Sequence, residues 1–435
     1  MGHMIGKELY RRLGKKLDAM PMRAPWNDAL YGILQELYSA EEADLVIRMP
    51  YGLSSIHRLE KAVGLDRPRL SALLETACTK GLIIDICVNG KFYFGPSPMV
   101  VGIFEFTMMR TGNPSAKKMA GLFHEYMQAD KAFYKENFGK GEQISVLRTL
   151  PHEEALGDGY TEILGYESAQ EIIQKNKRFA IGLCSCRHEK EHLGRKGCDV
   201  PLSTCSSFGL AADYVIRRGA AREVSKEEML ENLSRSRELG LVLSADNVRK
   251  NVNFLCHCCS CCCHALRGIR EKGYANPVVT SGFVAETDEE KCVGCGLCAR
   301  DCPIDAVAME DRGGEATKRK KISSTDLSIC LGCGVCVLFC RKKARTLVKS
   351  ERRVILPETT FERIILQSLE RGTLQHQLFD DPQRVTHAFM RGLLGAFLRL
   401  PPVKKALMSD ALRSRFLDSM KHAAAWRGRG WMTNI

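Results

Sequence analysis

The chain has 435 residues, 45% hydrophobic and 26% charged, with a mean hydropathy of -0.18, a balance that suits several folded domains and argues against wholesale disorder or a membrane bundle. No apolar run reaches the roughly 18 residues that span a bilayer, and the first residues lack the apolar core of a signal peptide, so a cytoplasmic location is expected. The net charge of +13 is uneven: residues 341–435 hold 19 Lys+Arg against 8 Asp+Glu, and the first 340 residues are nearly neutral.

Twenty cysteines are the informative count, because eighteen of them fall between Cys184 and Cys340. In a long chain of this class such crowding points to metal ligation, since disulfide scaffolds belong to short secreted domains. Thiols in this number oxidise readily, so an anaerobic or strongly reducing host is expected.

In chain order, residues 5–41 read as a helical lead and residues 42–97 as a winged helix. Ser54 is placed to cap a helix carrying Ile56, Leu59 and Val63, ended by Gly64-Leu65-Asp66. A second helix follows Pro68, with Leu70, Leu73, Leu74 and Ala77 on one face and Gly81 as its stop. Two β-rich runs, 82–88 and 91–94, flank Asn89-Gly90, a strong hairpin signal. The outward positions of the second helix mix Arg67, Arg69 and Lys80 with Glu75 and uncharged residues, so DNA is disfavoured as a partner and a structural or docking wing is expected. Cys78 and Cys87 are read as packing residues.

Residues 98–178 form a connector with an apolar stretch, 100–109, and a helix expected over 115–138, in which Met108, Met109, Met119 and Met127 fill a core. Neither a Gly-x4-Gly-Lys-Ser/Thr phosphate loop nor a Gly-x-Gly-x-x-Gly dinucleotide turn occurs in the chain.

Residues 179–276 form a cysteine-rich domain. The run FAIGL, 179–183, reads as a buried strand delivering Cys184 and Cys186, followed by Arg187, His188 and His192, then Cys198 and Cys205. A helix opens with the capping box Ser225 to Glu228. The segment 256–264 then places Cys256, Cys258, Cys259, Cys261, Cys262 and Cys263 between and beside His257 and His264. These ten thiols are ligand candidates for one or two further iron–sulfur clusters, with a zinc site or thiol reserve as the alternative. The four histidines are read first as hydrogen-bonding side chains and only second as ligands.

Residues 286–349 carry an internal repeat: CVGCGLCARDCPIDAVAM from Cys292 aligns with CLGCGVCVLFCRKKARTL from Cys330, each with the spacing C-x2-C-x2-C-x3-C. Three cysteines in a tight loop face three corners of one Fe4S4 cube and the fourth reaches the other cube. This assigns Cys292, Cys295, Cys298 and Cys340 to one cluster and Cys330, Cys333, Cys336 and Cys302 to its partner. Structural zinc is disfavoured here, because four ligands spaced in this way are poor zinc-ribbon spacing.

The repeat resembles the bacterial-type 2[4Fe-4S] ferredoxin domain, which implies two cubanes and one-electron transfer between them. The second run ends Cys340-Arg341 where the family carries proline, so a cation beside that cluster is expected to raise its potential. The pairs Cys258-Cys259 and Cys262-Cys263 resemble the Cys-Cys-Gly motifs that hold noncubane clusters in heterodisulfide reductases, with Ser260 and His264 in the glycine positions. The whole plan is similar to multidomain iron–sulfur proteins of strict anaerobes.

Residues 350–435 form a basic helical tail. Phe389, Leu393, Ala396 and Leu400 share one face, Pro401-Pro402 ends that helix, and 403–420 starts another. That apolar face is expected to pack on the ferredoxin domain, with contact to an anionic membrane surface as the alternative.

The fold class read from the sequence is therefore α+β and multidomain: winged helix, cysteine-rich iron–sulfur domain, tandem ferredoxin domain, helical tail. The expected function is one-electron relay through two ferredoxin cubanes to the cysteine-rich domain, with an acidic redox protein or oxidoreductase subunit as partner. The alternatives are a reductase with a catalytic cluster at Cys256–Cys263 and a redox-sensing winged-helix regulator.

Overall fold

The computed structural model describes residues 2–112, 114–156, 165–311, 321–352 and 354–435. Helices and sheets are mixed along its length. After helices Gly2–Asp18 and Asp28–Leu37, the chain forms helices Ala40–Arg48, Ile56–Val63 and Arg67–Lys80 and a hairpin of Ile83–Val88 with Lys91–Pro96. The second hairpin strand also pairs with Ser54–Ser55. The hairpin turns on Asn89 and Gly90, both at positive φ. Ser55 rather than Ser54 caps the helix that follows: its hydroxyl accepts from the Arg58 N–H, while Ser54 is committed to the strand pair with Phe94.

The connector helix expected over 115–138 is broken. Helix Ala116–His124 runs into a wide turn, Glu125–Ala129, before a new helix, Ala132–Phe138. Asp130 supplies the reason: its backbone is extended, and its carboxylate accepts from the Ala132 N–H and from Asn27 Nδ2. Met108, Met109, Met119 and Met127 are all buried.

A seven-stranded sheet organises the centre, in the spatial order Val278–Val279, Leu147–Leu150, Val242–Asp246, Phe254–Cys258, Ser203–Phe208, Phe179–Leu183, Ala221–Glu223. Its pairs are antiparallel except the first, which is parallel. Two of these strands lie outside the 179–276 span read from the sequence. The helix Lys226–Glu238 carries the expected Ser225 to Glu228 capping box.

In the tail, helix Val385–Leu398 is followed by Pro401–Met408 and Asp410–Trp426. The prolines thus open a helix, as residues without a needed N–H can, and the span expected as one helix from 403 to 420 breaks at Ser409. The apolar face does not pack on the ferredoxin repeat: Phe389 is 70% and Leu393 61% exposed, and Phe397 and Leu400 are also exposed. The helix instead turns Leu394 and Leu398 into a small core with Ile144, Ile365, Leu366 and Leu369. Asp380, accepting from Arg58 and Arg429, and the Tyr93 to Trp431 ring contact fasten the tail to the N-terminal unit. Among the described residues, no helix is long and apolar enough to cross a membrane.

Candidate metal centre

The sequence repeat is a structural repeat. Five residues after the first cysteine of each run a one-turn helix begins, Leu297–Arg300 in one and Val335–Leu338 in the other. Thirteen residues after it a non-glycine residue takes positive φ, Asp305 and Lys343. Fifteen residues after it a strand begins, Val307–Asp311 and Arg345–Lys349. The fourth cysteine of each run accepts a backbone N–H from four residues on: Ala306 N to Cys302 Sγ at 3.2 Å and Ala344 N to Cys340 Sγ at 3.3 Å. Such amides stabilise thiolate charge. Gly294 and Gly332, at positive φ, bring the backbone so close that a Cβ would sit 2.4 Å from the Lys321 carbonyl oxygen and 2.0 Å from that of Phe283.

The two runs differ in burial. Cys295 is exposed at the molecular surface, whereas Leu331 to Cys336 are all buried. The second run is gripped through its carbonyls: His152 N donates to Cys333, Ser281 N to Leu331, and Thr280 Oγ1 to Cys330. Cys302 stands with Cys330, Cys333 and Cys336 around one small cavity. Burial pushes the Cys336 thiol up to about 11, against the pull of the Arg345 guanidinium, whose Nη2 lies 3.6 Å from its sulfur. Arg345 is buried and held by Thr287 and Thr325. It is a cation beside the second run that the cysteine spacing did not announce.

The central sheet explains where the other ten cysteines go. Cys256 and Cys258 sit two residues apart on one strand and so share a face. Cys205, on the neighbouring strand, is within hydrogen-bond reach of Cys256. Cys184 ends the strand Phe179–Leu183, and helix Ser185–His192 begins directly after it, carrying Cys186. Thiol contacts run from Cys184 to Cys186, Cys263, Cys258, Cys256 and Cys205 in an unbroken series. These six, bordered by Cys259 and Cys262, line an apolar cavity of about 190 Å³ that extends to Val101, Phe104, Met109 and Tyr134. Hydrogen bonds from neighbouring thiols and burial hold Cys184 and Cys256 well above the usual cysteine range, while thiol hydrogen bonds from Cys256 and Cys263 lower Cys258.

The remaining four form a separate group. Cys198, Cys259, Cys261 and Cys262 have sulfurs that all lie within 4.8 Å of one another, with Cys198 to Cys259 at 3.7 Å and Cys261 to Cys262 at 3.5 Å. Chain-adjacent Cys258 and Cys259 therefore serve different groups, as do Cys262 and Cys263.

Three of the four histidines are occupied otherwise. His257 points to the opposite sheet face and bonds Ser206 and Asn232; burial lowers it to about 3, keeping it neutral. His188 Nδ1 meets the Met108 carbonyl. His264 bridges Glu189 and Gln128. Burial would raise the Glu189 carboxyl, but His264, His124 and Lys190 hold it well below the carboxylate range. Arg187, fully buried, donates to Pro201 O, Thr204 Oγ1 and His257 O and lies beside Cys259, standing between the two central thiol groups.

Glu105 was not read from the sequence. It lines the thiol cavity, accepts from the Gly102 N–H, and is pushed up to about 7 by burial. The turn that presents it holds Val101 at φ 50, a conformation a β-branched residue rarely adopts. A single acid inside the apolar run 100–109 was the available signal.

Residues 291–344 match the family of 4Fe-4S dicluster domains, so this part of the chain binds 4Fe-4S clusters and the chain is an iron–sulfur protein. No curated protein and no solved structure matches the chain. The donor set fits such clusters: eight thiols in two related cradles, amides aimed at sulfur, and glycines where any side chain would fill the cradle.

Proposed function

We propose that the chain is a two-stage electron-transfer protein. The ferredoxin repeat holds two cubanes with the crossed ligand sets, takes up single electrons at its exposed first run, and passes them through its buried second run to a group held by Cys184, Cys186, Cys205, Cys256, Cys258 and Cys263. The observation that carries this reading is a shared apolar core: Cys302, Cys330, Cys333 and Cys336 belong to it together with Cys258 and Cys263, across Val242 and Leu266. Bound clusters supply one-electron storage. The residues supply spacing, burial and hydrogen bonds to sulfur.

The winged-helix reading of residues 42–97 serves here as packing and docking. The cations of its second helix are already paired, Arg67 with Glu60, Arg69 with Glu41 and Lys80 with Glu42, which leaves little for phosphate. An acidic carrier is the partner that suits Arg341, Lys342 and Lys343, all exposed beside Cys340. Oxygen-free protein reduced by a small acidic ferredoxin is expected to show a third EPR signal beyond those of the repeat, lost in a Cys205→Ser/Cys256→Ser variant. The reduction rate is expected to fall several-fold as salt shortens the screening length from about 10 Å at 0.1 M to about 3 Å at 1 M. Absence of any reducible centre outside the repeat would sink the relay; a salt-independent rate would sink the acidic partner.

The cavity favours a second reading, a reductase, because it extends past the sulfurs into apolar space and presents Glu105 there. Glu105, protonated below about pH 7, would hold a proton for the reduced state. The potential of the central group is then expected to be flat below that pH and to fall by about 59 mV per pH unit above it, where reduction must take up a proton. In Glu105→Gln the slope should vanish. A wild-type potential flat from pH 5 to 9 would leave Glu105 without this role.

A further inference from the structure

Four thiolates around a single ion and four around a cubane differ in one measurable respect. A tetrahedral ion with metal–sulfur bonds of about 2.3 Å places its sulfurs ~3.8 Å apart. A cubane stands its ligands at the outer corners of a four-iron core, and they lie farther apart. In Cys198, Cys259, Cys261 and Cys262 the two recorded pairs are 3.7 and 3.5 Å apart and every pair lies within 4.8 Å. The repeat supplies the comparison within the same molecule: among the described residues, which include all eight of its cysteines, no other three ligand residues come this close.

We propose that Cys198, Cys259, Cys261 and Cys262 hold one zinc ion, closed to solvent ligands and distinct from the group held by the other six thiols, whose cavity Cys259 and Cys262 border. Four sulfurs in tetrahedral reach are the donor set of structural zinc. The surroundings suit a staple. The sulfurs sit in their own small apolar cluster with Val200 and Leu241. Cys198 lies in the stretch between helix Ser185–His192 and strand Ser203–Phe208, which has no regular structure of its own, so the ion would tie this loop to the end of the sheet. Two negative charges remain when four thiolates meet one divalent ion, and the buried Arg187 guanidinium beside Cys259 offsets them. The site adjoins the relay without joining it: Leu241, in the zinc cluster, accepts from His152 Nε2, and His152 N donates to Cys333.

The test uses the full chain, prepared without oxygen from cells supplied with both iron and zinc. About one zinc per chain is expected, and absorption at the zinc edge should show about four sulfur neighbours at about 2.3 Å and no nitrogen or oxygen. Cys198→Ser should lose at least half of the zinc while iron and sulfide stay unchanged. Cys261→His, which offers a replacement ligand, should keep the zinc with one sulfur exchanged for nitrogen. If Cys198→Ser does not fold, the edge spectrum of the unaltered chain decides. Zinc absent from that chain, zinc bound by nitrogen or oxygen, iron in its place, or a loss of about four iron in Cys198→Ser would each overturn the assignment. These readouts stand apart from the central EPR signal, so the relay can fail while the zinc site holds.

Discussion

Cys302→Ser and Gly332→Ala are expected to abolish the same cluster, although the two residues belong to different runs. Cys302 stands with Cys330, Cys333 and Cys336 around one cavity, and at Gly332 a Cβ would lie 2.0 Å from the Phe283 carbonyl oxygen and 2.3 Å from Ser281 Oγ. Each change should remove about four of the roughly eight iron atoms of the repeat, with matching sulfide. Cys340→Ser and Gly294→Ala form the complementary pair, since a Cβ at Gly294 would meet the Lys321 carbonyl oxygen at 2.4 Å. EPR of the four reduced variants should therefore sort them into Cys302 with Gly332 and Cys340 with Gly294. Sorting by run instead, Cys302 with Gly294, would show that each run closes its own cluster and would remove the crossed assignment.

The shape of each run was legible because the spacing of its first three cysteines is local. Three cysteines within seven residues fix a loop, and the loop fixes the helix at Leu297 or Val335 and the turn at Asp305 or Lys343. The Asn89-Gly90 hairpin was legible for the same reason, since its turn needs positive φ at both residues. The ten central cysteines were not, because their grouping depends on which way each side chain leaves a strand or turn. Cys258 faces the cavity and Cys259, its neighbour, joins Cys198 from a loop 61 residues earlier. Strands Leu147–Leu150 and Val278–Val279 are too short for alternation to declare them, and they pair across about 130 residues of chain. The tail shows the opposite failure: the Phe389 to Leu400 periodicity marks an apolar face correctly, yet periodicity carries no information on what covers it, and here that face meets water.

Asp85→Ala is expected to cost the largest share of stability of any single change in the N-terminal unit, about 3–5 kcal/mol. Asp85 is wholly buried on the hairpin strand Ile83–Val88 and accepts from Arg217 and Arg218, each at 2.9 Å, at the end of helix Gly209–Arg217 in the central domain. Arg217 also donates to the Asp85 carbonyl oxygen at 2.7 Å. Removing the carboxylate leaves Arg217 without an acid and Arg218, only 9% exposed, with no counter-charge but the surface carboxylate of Glu75 at 2.6 Å. Restoring solvation requires the hairpin to part from the helix. Hydrogen exchange should accordingly quicken in both Ile83–Val88 and Gly209–Arg217, while the ferredoxin repeat keeps its protection. Glu41→Ala serves as the control, because its pair with Arg69 is exposed on both sides and should contribute less than 1 kcal/mol. Should Asp85→Ala match that control in denaturant midpoint and exchange, the hairpin would not be locked to the centre. A unit free to part from the centre is what a DNA-binding output would require, so that result would shift the balance toward the redox-sensing regulator.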